Sequence, residues 1–175
     1  LLRSRGYAAM TMEDVAAKAG VGKATIYRRW PSKGALALDV LLELLELGPA
    51  PDTGTTKGDL VAIVRGVNTG LANPTAAAVI PGLATDLARD PTLAKAFQER
   101  FVLPRRRSAA EAIDRAVQRG DLPAEADQEL LIDVLSSPVF YRIFVTGHPI
   151  EPDLAEKLVD FVLLRQIPTK ARAGS

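Results

Sequence analysis

MEDVAAKAGVGKATIYRRWPSK, residues 12–33, is the stretch from which the rest of the chain is read. Met12, Val15, Ala16 and Ala19 recur at i, i+3, i+4 and i+7, which makes one apolar stripe of a short helix. Thr11 stands before the stripe as an N-cap, and Asp14 three residues on approximates a capping box. Gly20 ends the helix, because glycine takes the positive φ of a C-terminal cap without steric cost. Gly22 lets the chain restart, and a second helix is predicted over 23–29, halted ahead of Pro31. On it Ile26 and Trp30 are four apart and share an inner face, with Val21 behind them. Lys23, Ala24, Thr25, Tyr27 and Arg28 are left outside, a face with two cations, hydroxyls, an aromatic ring and no acid. A helix about 10–12 Å across fits a DNA major groove, where arginine and lysine pair with guanine edges and hydroxyls reach phosphate. The spacing is that of a helix-turn-helix with its second helix as the reader.

Charge points the same way. Residues 1–38 carry seven Lys/Arg (Arg3, Arg5, Lys18, Lys23, Arg28, Arg29, Lys33) against Glu13 and Asp14, a balance of +5. The whole 175-residue chain is only +1, so the remainder carries −4. A basic head on an acidic body suits nucleic-acid binding by the head alone. With 47% hydrophobic and 25% charged residues, composition is that of an ordinary soluble globular protein. The absence of cysteine excludes disulfides and thiolate metal sites and suits a reducing, cytoplasmic setting. With one histidine as well, nucleophile–base pairs and His-rich metal sites are nearly excluded, so no enzyme, metal or cofactor is expected. No apolar run is long enough for a membrane span.

In chain order, Leu1 and Leu2 read as the tail of a helix ending at Gly6. Ser32 caps a leucine-rich helix reaching residue 47. Lys33 lies in its first turn, against the helix dipole, a placement that a nearby phosphate would explain. Residues 48–58 (GPAPDTGTTKG) are the clear linker, and everything beyond reads as helix. Helices are expected over 59–71, over 74–88 with a kink or split at Pro81-Gly82, and from Pro91 to Gly120 with Pro104 either bending it or starting anew. Two more follow over 125–146 and 152–166, and residues 168–175 form a tail without order. Residues 130–145 are apolar on nearly every side, so that helix must be covered on two faces, by its own core or by a second copy. Ala76, Ala77, Ala78, Gly82 and Ala84 stand near Ile80, Leu83, Phe97 and Phe101, which leaves either a void or a close helix approach. His148 reads as a turn residue, and Arg105-Arg106-Arg107 as ordinary surface or interface charges. Trp30 packs in the core or stacks on a base, and Arg29 touches phosphate or favours the helix C-terminus. Spacing leaves both open.

Gly6-Tyr7-Ala8-Ala9, Thr11 to Ala16, Ala19-Gly20-Val21-Gly22 and Thr25-Ile26-Tyr27-Arg28-Arg29-Trp30-Pro31-Ser32-Lys33 together resemble the DNA-binding domain of the TetR family of transcriptional repressors. Arg29-Trp30 departs from the commoner histidine-phenylalanine, and Gly22 from serine. The resemblance implies an all-α fold: an N-terminal three-helix DNA-binding domain (1–47, its first helix begun before the present residue 1), the linker 48–58, and a larger helical domain (59–167) that forms a four-helix dimer interface. It implies a homodimer on double-stranded palindromic operator DNA, released by a small, mainly apolar effector. Lys23 and Arg28 are expected on bases, and Thr11, Thr25, Tyr27, Arg29 and Lys33 on the backbone, with Ala24 on the same face. The implied pocket is assigned to Val67, Leu71, Ile80, Leu83, Phe97, Arg100, Phe101 and Tyr141, with Arg107 as a further polar contact. The implied dimer interface is assigned to Leu131, Leu135, Val139, Phe140, Phe144, Leu158, Phe161 and Val162. A helical protein-interaction module, or a regulator without an effector, is the alternative.

Overall fold

The structure is a computed structural model that describes residues 1–166; the tail expected over 168–175 lies outside the described residues. Ten α-helices and two π turns account for the regular structure of the described residues. They are α1 (Leu2–Ala9), α2 (Met12–Ala19), α3 (Lys23–Arg29), α4 (Lys33–Leu44), α5 (Thr56–Ala72), α6 (Pro74–Leu87), α7 (Pro91–Phe97), α8 (Leu103–Gln118), α9 (Gln128–Tyr141) and α10 (Leu154–Gln166). The π turns, Gln98–Val102 and Arg142–Thr146, follow α7 and α9. Gly6 breaks α1 as its composition predicts, with φ 73°.

The chain divides into two packed units. One comprises Leu1–Leu47 with Thr69–Pro104; the other comprises Gly48–Asn68 with the residues from Arg105 onward. Helices α6 and α7 pack with the N-terminal helices in the first of these units. The reason lies in one apolar cluster. Tyr7 of α1, Ala37, Leu38 and Leu41 of α4, Ala76, Val79 and Leu83 of α6 and Leu93 of α7 are buried together. Each large side chain so buried contributes about 1.5–3 kcal/mol.

That burial also explains why α6 is neither split nor ended at Pro81. A proline inside a helix costs about 3 kcal/mol through its missing N–H. Val79 and Leu83 on either side of it are fully buried and outweigh the cost, while Pro81 itself faces outward. Gly82 is required here by close approach: a Cβ would lie 2.2 Å from the Tyr7 ring. Pro104 is likewise absorbed rather than ending the helix. The preceding π turn bonds Leu103 N–H back to the Gln98 carbonyl, and α8 continues through the proline.

In the other unit, Leu60 and Val64 of α5, Ile113 and Ala116 of α8, Leu131 and Leu135 of α9 and Val159 of α10 form the core. Residues 51–55 are not a free linker but a strap on this unit, and α5 starts at Thr56 rather than Asp59. Asp59, fully buried, accepts from Thr53 N–H (2.6 Å) and Thr53 Oγ1 (2.8 Å), and lies 3.2 Å from Arg119. Arg115 donates to the Pro51 carbonyl, and Thr56 Oγ1 donates to Asp121 at 2.6 Å. Burial pushes the Asp59 carboxyl up, but the bonds from Thr53 and Arg119 outweigh it and hold it below the usual carboxylate range. Because the folded value is depressed, its stabilisation is complete above the unfolded value of about 3.9 and is lost as pH falls through the folded one. Asp59→Ala leaves Arg119 and Arg115, whose guanidinium is 3.7 Å from Asp59, with only the exposed Asp52 as an acidic partner, and should cost about 3 kcal/mol in urea unfolding near neutral pH. The variant should also lose part of the wild-type decline in stability below pH 4; a variant as stable as wild type would show that the strap is incidental.

Candidate nucleic-acid interface

The helix-turn-helix is built by local chemistry. Thr11 Oγ1 accepts the Asp14 N–H at 3.1 Å and the Asp14 carboxylate accepts the Thr11 N–H at 3.1 Å, a reciprocal cap. The Thr11 hydroxyl, which donates to the Asp14 carboxylate at 2.8 Å, the Thr11 N–H and Arg5 at 2.8 Å keep that carboxyl below its ordinary range. Gly20 takes φ 67° and lets Val21 N–H return to the Ala16 carbonyl at 3.1 Å. Gly22 is the N-cap of α3 and gives it no side-chain cap, since the glycine has none to offer.

Ile26 is the only buried residue of α3, and it joins Met10, Met12, Ala16 and Leu36 beneath the helix. Lys23, Ala24, Thr25, Tyr27, Arg28 and Arg29 are all exposed, so the acid-free outer face expected from spacing is open. Arg28 makes no ion pair or hydrogen bond among the described residues. Lys23 lies 3.2 Å from Glu13 of α2, and the Arg29 guanidinium rests 4.6 Å over the Trp30 ring. Thr11 is exposed, its hydroxyl committed to the cap. Lys18, exposed in the last turn of α2, is a further cation on this head that the spacing argument passed over.

Three local placements come from the structure. Val21 is 40% exposed rather than behind Ile26, because the turn carries it clear of the helix pair. Trp30 is an anchor: half-buried at the edge of the core, it donates Nε1–H to Asp39 at 2.8 Å. Lys33 has an internal reason for its first-turn position. Its ammonium lies 3.1 Å from the Tyr7 carbonyl and 3.5 Å from that of Ala8, above the Tyr7 ring, where it satisfies the end of α1.

The residues assigned to an effector pocket are distributed over the two units. Leu83 is buried, and Ile80, Phe97 and Phe101 pack against its cluster, with the two rings stacked at 5.0 Å. Leu71 is buried, and Arg100 is turned to Asp39 at 2.7 Å. Val67 and Tyr141 belong to the other unit, where Tyr141 is exposed, as is Arg107. Two surface hollows, of about 440 and 300 Å3, are lined around Thr55, Thr56 and Asp121 and around Ser32, Asp86 and Leu93; neither takes in any of the eight.

The residues assigned to the dimer interface differ in exposure. Leu131, Leu135, Val139 and Val162 are buried within their own unit, and Leu158 packs against that core. Phe140, Phe144 and Phe161 are exposed, and so are Leu130, Val134, Tyr141, Val145 and Leu164, which were not chosen. A helix that is apolar all round announces two covered faces without saying which is the inner one. Arg106 is held by Glu129 and, at 2.7 Å, Asp133 of α9, as an ion-paired charge. His148 is exposed in its turn. Among the described residues no cluster of acidic or histidine side chains fits a metal, and no helix is long and apolar enough to cross a membrane.

A three-helix head with a tight glycine turn and an open cationic face on its last helix defines a helix-turn-helix protein of the DNA-binding class. Comparison with known proteins is specific. Residues 1–40 match the model of the bacterial regulatory proteins of the tetR family, and residues 50–162 match the tetracyclin repressor-like C-terminal domain. An uncharacterized HTH-type transcriptional regulator, YdeS of Bacillus subtilis (strain 168), is 33% identical over 91% of this chain and 80% of its own. The DNA-binding transcriptional repressor TetR of Mycobacteroides abscessus is 33% identical over 95% and 88%. The crystal structure of the TetR family transcription regulator SCO0332 superposes with a TM-score of 0.72 at 32% identity, covering 93% of this chain and 90% of that one. The chain belongs to the TetR family: it is a DNA-binding transcriptional regulator rather than an enzyme, from a family whose members act as dimers.

Proposed function

We propose that this regulator is a cytoplasmic, homodimeric repressor that sets one α3 in each of two successive major grooves of a palindromic operator. The observation that carries the reading is the outer face of α3, open and free of acid, opposite the single buried Ile26. Half-sites then lie about 34–36 Å apart. Arg28 and Lys23 read base edges, and Ala24 lets the helix come close. Thr11, Thr25, Tyr27 and Arg29 contact the backbone. Lys33 serves the end of α1 first, with one N–H left for phosphate. The exposed apolar residues of α9, the following π turn and α10 pair with the same surface of a second copy. The name of the Mycobacteroides abscessus relative supports repression.

Control by a small apolar effector requires that it bind the released form better than the DNA-bound form. The close packing of Ile80, Leu83, Phe97 and Phe101 supports the other reading, a regulator without an effector. Selection of binding sites from random duplex DNA tests the central claim. Recovery of a two-fold symmetric site, with two protected patches one turn apart, is the expected result. No enriched sequence would refute it.

A further inference from the structure

Asp39 of α4 stands between two elements far apart in sequence. Its Oδ2 accepts the Trp30 Nε1–H at 2.8 Å, and its Oδ1 accepts from Arg100 Nη2 at 2.7 Å. Trp30 is the C-cap of α3: its backbone N–H bonds the Ile26 carbonyl at 2.9 Å, and its ring packs at the edge of the cluster that holds Ile26. Arg100 comes from the π turn Gln98–Val102, whose Phe101 stacks on Phe97. A π turn carries one residue more than the α ladder and re-aims the side chains on it. Both carboxylate oxygens of Asp39 are thus engaged, one toward the reading helix and one toward the α7–α8 segment.

We propose that Trp30, Asp39 and Arg100 form a positioning relay for DNA recognition. Arg100 fixes Asp39, Asp39 holds the indole, and the indole sets the rotation of α3 about its axis, hence the directions of Lys23 and Arg28. This rests on α3 being the reading helix. Recognition side chains need orientation held to about 10–20°, which bonds from the supporting shell supply. A phenylalanine at position 30 would fill much the same space with no N–H for Asp39. A shift of the π turn reaches α3 through these two bonds without repacking the core. The Asp39–Arg100 pair is part-exposed, 32% and 52%, so it adds little to stability and can be cut without unfolding the protein.

Trp30 is the only tryptophan, so its emission reports on the relay directly. The full chain is compared with Arg100→Ala, Asp39→Asn, Trp30→Phe and the Trp30→Phe/Arg100→Ala double variant. Arg100→Ala should melt within about 4 °C of wild type. It should shift the tryptophan emission and bind the selected site about tenfold more weakly, with binding to unrelated DNA unchanged. In the double variant the two losses should not add, because the relay is already cut. Wild-type affinity and emission in Arg100→Ala, or fully additive losses, would overturn the relay. Should the wild-type chain bind no DNA, the reading of α3 fails. The emission of Arg100→Ala then decides the relay by itself, a shift supporting it and an unchanged spectrum overturning it.

Discussion

Arg28→Ala binds the operator at least about 30-fold more weakly than wild type, a loss of ~1–3 kcal/mol in each of the two half-sites, and relaxes the base preference at one position of each. The side chain is exposed and has no partner among the described residues, so its removal takes nothing from the fold. The melting temperature therefore stays close to wild type, as for other surface changes within about 0.5 kcal/mol. Binding to unrelated DNA weakens only through the charge lost from each of the two heads, with the salt slope falling by about two units. Titration of operator and scrambled duplexes at two salt concentrations separates these terms. If both duplexes lose affinity equally, Arg28 is a phosphate contact and the base reading belongs elsewhere on α3.

The second large effect lies in the other unit. Leu130, Val134 and Tyr141 follow one line along α9, all exposed, and Phe161 and Leu164 are exposed on α10. Val134→Glu places a charge in the middle of that line. In a two-fold interface each copy buries the same unpaired carboxylate, so the penalty is incurred twice. Sedimentation at micromolar concentration should show a folded monomer, and operator affinity should fall by more than about 100-fold because one head reaches only one half-site. Leu135→Ala is the control, one residue along and inward. It should cost about 2–5 kcal/mol of stability by opening a cavity, without splitting a dimer that still folds. An undisturbed dimer in Val134→Glu would move the interface to another face.

How much was legible differs between stretches for physical reasons. Around residues 11–29 every signal is local. Thr11 and Asp14 cap each other within one turn, Gly20 needs only its own positive φ, and Ile26 is the single buried residue of a seven-residue helix. The acid-free face of α3 followed, because with one buried position the outside is whatever remains. The internal contacts of Lys33 and Arg100 were not legible, because their partners, the Tyr7 carbonyl and Asp39, lie 26 and 61 residues away.

The sequence by itself determined the all-helical class, the helix-turn-helix and its outward residues, since caps, turns and amphipathic stripes act over four or five residues. Only the tertiary structure decided that residues 69–104 pack with the N-terminal helices and that Pro81 stays inside a helix. It alone showed that Asp59 straps residues 51–53 and which side of α9 faces its own core. Each of those outcomes is a competition between a local preference and burial against distant residues. A helix apolar on all sides holds no local preference by which to orient itself.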